Sequence, residues 1–160
     1  MMLGYVSKIL LHRSEMKELY SWHKEIWQRW NGLRKRLPHA ILLKGAKGTG
    51  KLDFALNLAQ SLLCEQPNEE GQACENCPSC HWFQQDAHPD FRLLQPDALA
   101  ESEDGEERES GKKKPSRQIS VDQVRTLADF SNLSAHQGGH RVVVIHPAEA
   151  MNTLNPFTSR

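Results

Sequence analysis

The segment Gly45-Ala-Lys-Gly-Thr-Gly-Lys51 constrains the fold more than any other part of the chain. It follows a short apolar run, His39-Ala-Ile-Leu-Leu-Lys44, that begins after Pro38. A run of that length before glycines predicts a buried strand over 39–44. It precedes Leu52–Cys64, where Phe54, Ala55, Leu58 and Leu62 recur at helical spacing. Strand, glycine turn and helix frame a phosphate-binding loop, and Gly45-x-x-x-x-Gly50-Lys51 fits its pattern. Glycines let backbone N–H groups curl round phosphates, the lysine reaches the outer phosphates, and a hydroxyl on the next residue holds Mg²⁺. Gly45, Gly48, Gly50 and Lys51 are the candidate nucleotide contacts. The hydroxyl position holds Leu52, which offers no oxygen to a hard cation. A tight turn that binds nothing fits the same residues, although any helix N-terminus attracts anions.

ATP hydrolysis also needs a carboxylate at the end of a second strand to hold the metal, often with a glutamate beside it to activate water. The second candidate strand is Arg141-Val-Val-Val-Ile145, and His146 and Pro147 stand where those acids belong. Glu149 lies further on, where a helix is expected to begin. With Leu52, three groups are absent together, which argues that hydrolysis is lost.

The second motif is Cys64-x₉-Cys74-x₂-Cys77-x₂-Cys80. Each CxxC turn presents two sulfurs to one side of a metal, and four thiolates complete the tetrahedral shell of Zn²⁺. With all four positions filled the site is structural, since none is open for a substrate. A redox pair does not need four cysteines, and His81 is an alternative ligand beside Cys80. Four cysteines in a chain read as cytoplasmic favour a metal over disulfides.

The opening MMLGYVSKILLHRSEMK has no small-residue cleavage site, and no apolar run is long enough to span a bilayer. Lys+Arg and Asp+Glu each total 20, so the chain is formally neutral and lacks the charge of a strong nucleic-acid binder. Contact with DNA is then expected through a larger assembly.

Residues 1–19 read as an N-terminal extension, with Met16 a candidate translation start. Trp22, Ile26, Trp30 and Leu33 predict a helix over 22–37, ended by Pro38. Trp22, Trp27 and Trp30 are a candidate stacking platform for bases, or core and partner surface. His23, His39 and His88 are scattered and form no readable catalytic set. Arg34, Lys35 and Arg36 suit a helix C-terminus. A short helix is expected over 81–85, and a strand over Phe91-Arg-Leu-Leu94. Residues 99–118 segregate acids from Lys112–Lys114 with few apolar side chains, and read as a disordered insertion. Ser120 reads as the N-cap of a helix reaching about Ala135, before Gly138-Gly139. The alternation of strands and helices gives an α/β class with a parallel sheet.

The order of these features is distinctive: Leu37-Pro38-His39-Ala40, the glycine loop, Leu62-Leu63-Cys64, the cysteine cluster, His88-Pro89-Asp90, Ile119-Ser120-Val121-Asp122-Gln123-Val124-Arg125 and Val142–Ile145. It resembles the clamp-loader subunits of the AAA+ superfamily, and among them the delta-prime family of bacterial DNA polymerase III, over residues 20–152. Gamma/tau subunits carry the same cysteine insert but keep a loop threonine and an acidic second motif, from which Leu52, His146 and Pro147 depart. The resemblance implies an AAA+ P-loop NTPase-like domain, with helices on both faces of a parallel sheet and an inserted four-cysteine module at 64–80. It implies Zn²⁺ on Cys64, Cys74, Cys77 and Cys80.

It further implies a scaffold that does not hydrolyse ATP, in a five-subunit ring with delta and gamma/tau that loads the sliding clamp onto primed DNA. Such a subunit has no catalytic centre of its own, although the holoenzyme is a DNA-directed DNA polymerase. The arginine that the family offers to a neighbour's nucleotide would lie beyond the chain, so Arg160 is not that residue. The superfamily also places a further strand between 39–44 and 141–145. Its absence, with an atypical tail at 153–160, marks a domain incomplete at its C-terminus and a truncated or frameshifted reading frame as the expectation. Two other functions remain: a divergent gamma/tau-like ATPase, and a free-standing zinc module that binds nucleic acid.

Overall fold

The computed structural model describes residues 19–102, 116–136 and 139–151. The N-terminal extension up to residue 18, the middle of the charged insertion, Gly138 and the tail at 153–160 lie outside these residues.

Helix α1, Lys24–Leu33, is flanked by 3₁₀ turns at Ser21–His23 and Arg34–Arg36. Helix α2 spans Lys51–Leu63 and helix α3 spans Pro78–Gln84. Strand β1, Phe91–Leu94, is followed by helix α4, Asp97–Ser102, then helix α5, Val121–Asn132, and strand β2, Val142–Ile145. The strands pair in parallel, from Phe91 opposite Val142 to Leu94 opposite Ile145. A parallel pair needs a long crossover, and here α5 lies within it.

Side chains alternate across a strand, so Phe91 and Leu93 share a face with Val142 and Val144. That face packs on Leu56, Ala59 and Leu63 of α2 and on Phe83 of α3, with Leu52 and Ala55 at the margin. The other side of α2 packs Phe54 and Leu58 against Trp27 and Trp30 of α1. On the opposite face of the strands, the Arg92 guanidinium lies 4.7 Å from the ring centroid of Phe130 in α5. The chain is thus a mixed helix–strand fold with a parallel pair and a cysteine cluster.

Helix α5 begins on a capping box. The Ser120 hydroxyl accepts from the Gln123 N–H at 3.2 Å, and the Gln123 side chain accepts from the Ser120 N–H at 2.8 Å. Both bonds satisfy donors that a helix start leaves open.

Three expectations change. Residues 39–44 form no strand; Ile41 is 46% exposed and Leu42 66% exposed, and Leu43 alone of the three leucine-type residues packs into the α1–α2 cluster. A strand persists where a neighbour accepts its backbone ladder, and among the described residues only β1 and β2 offer one. The buried side of the 3₁₀ turn and α1 carries His23, Trp27 and Trp30, whereas Trp22, Ile26 and Leu33 are exposed. Apolar residues occupy both sides of α1, so periodicity alone could not select the side that meets Phe54. The insertion at 99–118 is ordered at both ends: α4 runs to Ser102, and the Ala98 N–H donates to the Ser116 carbonyl at 2.9 Å.

Phe83 is fully buried where α3 meets the sheet. Phe83→Ala should cost about 3–5 kcal/mol, read as a lower urea midpoint at unchanged slope. A loss below about 1 kcal/mol would place the ring outside the core.

Candidate metal centre and glycine loop

Cys64 caps the C-terminus of α2, and its N–H donates to the Gln60 carbonyl at 2.8 Å. Between Cys74 and Cys77 the chain turns through Glu75, whose φ of 62° is left-handed. Cys77 is the N-cap of α3, Pro78 occupies its first turn, and Cys80 lies one turn in. The four sulfurs lie within 4.8 Å of one another. Cys64 Sγ and Cys77 Sγ are 3.9 Å apart, well beyond the roughly 2.05 Å of a disulfide bond. The Cys74 N–H donates to Cys64 Sγ at 3.2 Å, and the Cys80 N–H to Cys77 Sγ at 3.4 Å. Such donors favour the thiolate form that a metal requires.

The electrostatics within the cluster are uneven. Burial pushes the Cys64 and Cys80 thiols above their ordinary value. A backbone hydrogen bond from Asn76 holds Cys74 down to about 7. Four sulfurs converging with backbone donors at hand can hold a metal ion, whose charge would remove the remaining protons.

The loop between Cys64 and Cys74 is anchored on both helices. The Arg34 Nη1 donates to the Gly71 carbonyl at 2.9 Å, and its Nη2 to the Ser61 carbonyl at 2.6 Å. The Ser61 hydroxyl also donates to the Gly71 carbonyl. The Trp27 indole donates to the Glu70 carbonyl at 2.9 Å. Gly71 has a φ of 75°, and a Cβ there would collide with the Asn31 side chain. Arg34 thus acts as a bridge, a role its place near a helix end did not disclose.

A buried polar chain leaves the cluster from α3. The Ser79 hydroxyl donates to the Leu63 carbonyl at 2.5 Å and lies 2.8 Å from His88 Nε2. His88 Nδ1 accepts from the Asp90 N–H at 3.0 Å, so the ring proton sits on Nε2 and points at Ser79. The Asp90 carboxylate accepts from the His136 N–H at 2.9 Å and pairs with Arg141 Nε at 3.4 Å. Arg141 lays its guanidinium 4.7 Å from the Phe130 ring centroid and donates to the Phe130 and Ser134 carbonyls. His88 is therefore no stray histidine. The short spacing of His88-Pro89-Asp90 was visible in the sequence, but its partners Ser79 and Arg141 lie far along the chain.

In the glycine loop, Gly48 and Gly50 take φ of 82° and 73°, the left-handed conformations that glycine supplies. A Cβ on Gly50 would also meet the Tyr20 and His23 rings. The Thr49 carbonyl accepts from His23 Nε2 at 2.9 Å and from the Trp22 indole at 3.3 Å. Lys51 Nζ donates to the Gly45 and Ala46 carbonyls at 3.0 and 2.6 Å. The lysine is turned onto its own loop. Leu52 packs at the edge of the sheet cluster, and His146 follows directly on β2 with its N–H on the Leu94 carbonyl.

The family model described as DNA polymerase III, delta subunit, matches residues 23–155. The chain belongs to this family. Within it, the chain is 39% identical to DNA polymerase III subunit delta' of Pseudomonas aeruginosa, over 86% of the chain and 36% of that relative. It is 47% identical to the subunit delta' of Bacillus subtilis over 44% of the chain and 21% of that relative. With the subunit delta' of Escherichia coli the identity is 31% over 69% of the chain and 28% of that relative. The chain thus spans between about a fifth and about a third of the length of these curated relatives. The matched region includes the four cysteines, the glycine loop and the His88–Arg141 chain. Among the described residues no helix of this family member is long and apolar enough to cross a membrane.

Burial lowers the His88 pKa more than the nearby Asp90 carboxylate raises it. The folded state then binds the ring proton more weakly than the unfolded chain, whose histidine titrates near pH 6.5 by the usual value. This contribution is complete above that pH and is lost as pH falls towards the folded pKa. Unfolding midpoints in urea should drop on acidification from about pH 7 to about pH 5.5, and the drop should shrink in His88→Gln. Equal slopes in both proteins would contradict it.

Proposed function

We propose that this chain is the N-terminal region of a delta-prime clamp-loader subunit, a scaffold for ATP-driven loading of the sliding clamp that does not itself hydrolyse ATP. In this reading it adopts the AAA+ P-loop arrangement and works in the cytoplasm. It sits beside delta and gamma/tau subunits in a ring and reaches the clamp and primed DNA through them. The relatives are named for DNA polymerase III subunit delta', and the match extends over most of this chain.

The observation that carries the non-catalytic role is the glycine loop. Lys51 is bound to the Gly45 and Ala46 carbonyls, and the residue after it is Leu52. His146 and Pro147 follow β2 where a metal-holding acid and a water-activating acid would stand. The chain is formally neutral, without the net positive charge of a strong direct DNA binder.

The metal we assign to the cysteines is Zn²⁺. Tetrahedral zinc with bonds of about 2.3 Å puts sulfurs about 3.8 Å apart, and Cys64 and Cys77 stand at 3.9 Å. Cys64, Cys74, Cys77 and Cys80 would hold it, and the bound ion would cross-link the end of α2, the loop and the start of α3. Its role is to fix these segments relative to one another.

In a clamp loader reconstituted with this subunit, Lys51→Ala should leave ATP-dependent clamp loading within roughly twofold of wild type. A loss of tenfold or more would mean that the loop binds and uses nucleotide, and the gamma/tau-like ATPase reading would replace this one.

A further inference from the structure

We propose that Ser79 and His88 are positioning residues for the metal centre, holding two ligand-bearing segments in register and joining them to the sheet. The inference rests on the zinc reading above. Ser79 lies between the ligands Cys77 and Cys80 in α3. Its hydroxyl donates to the carbonyl of Leu63, the residue before ligand Cys64. One side chain therefore spans the two segments that carry three of the four sulfurs. Ser79 has no exposed surface, so no water competes for that bond.

A serine hydroxyl can rotate, and its direction must be set from outside. His88 sets it. With Nδ1 occupied by the Asp90 N–H, the imidazole presents a donor at Nε2 to Ser79 Oγ, 2.8 Å away. The oxygen then accepts from histidine, and its own proton is left for the Leu63 carbonyl. Asp90 is fixed in turn by the His136 N–H and by Arg141, the residue before β2. The ligands Cys64 and Cys77 are thus positioned by groups that touch no sulfur. Outer partners that orient ligands in this way alter metal affinity by about 10–100-fold. Ordering the segments before the metal arrives removes part of the conformational cost of binding.

The test is zinc release from the zinc-loaded 160-residue chain into excess chromogenic chelator. Ser79→Ala and His88→Leu should each release zinc about tenfold faster than wild type. His88→Gln places an amide donor near the Nε2 position and should restore most of the difference. The double variant Ser79→Ala with His88→Leu should release no faster than the faster single variant, because both changes break one chain. Ser131→Ala removes an exposed hydroxyl bonded to the Leu127 carbonyl and should change nothing. Unchanged release in Ser79→Ala and His88→Leu, with zinc bound, overturns the proposal and leaves the metal reading intact. A wild-type chain that takes up no zinc overturns the metal reading and this proposal together. Nitrogen-15 NMR of the His88 ring in the wild-type chain needs no variant. A neutral ring protonated at Nε2 is expected, and a proton on Nδ1 overturns the proposal.

Discussion

Helix α2 is held on the sheet by Leu56, Ala59 and Leu63, which meet Phe83, Phe91 and Val144 in one buried cluster. The two sites of interest hang from its ends. Gly50 and Lys51 begin the helix, and Cys64 ends it. Its second side, through Phe54 and Leu58, carries α1, whose 3₁₀ entry lies on the glycine loop through Trp22 and His23. Packing of this one helix therefore sets where the loop and the cysteine cluster lie. Burial supplies the stability, and the polar bonds choose the geometry.

At the loop end, the same bonds that order the turn also close it. Lys51 satisfies the Gly45 and Ala46 carbonyls, and His23 and Trp22 satisfy the Thr49 carbonyl. A catalytic loop of this type spends its lysine on phosphate and its next hydroxyl on a metal ion. Here Leu52 instead adds apolar contact to the core. At the cysteine end, three buried thiols and one half-buried thiol converge, with backbone donors to Cys64, Cys74 and Cys77. One end of the helix carries a lysine bonded to its own loop, and the other gathers four sulfurs that can hold a metal ion.

The parts legible in the sequence were those set by local chemistry. Strand β1 at Phe91–Leu94, helix α2 and the Ser120 cap follow from periodicity and from hydroxyl capping, which act within a few residues. The cysteine spacing was legible for the same reason, since CxxC turns are local. What could not be read depends on distant partners. Residues 39–44 have strand composition but pair with neither strand of the described residues. The buried side of α1 was decided by Phe54 and Leu58, so Trp27 went inward while Trp22 and Ile26 stayed out. His88 looked isolated because Ser79 and Arg141 join it only in the folded chain.

We propose a metal-stapled domain whose glycine loop does not serve nucleotide. The most direct measurement is a titration of the zinc-quantified chain with a fluorescent ATP analogue, with and without Mg²⁺. One zinc per chain on the four cysteines is expected, with no binding that Mg²⁺ strengthens. Binding that tightens with Mg²⁺ and disappears in Lys51→Ala would contradict it.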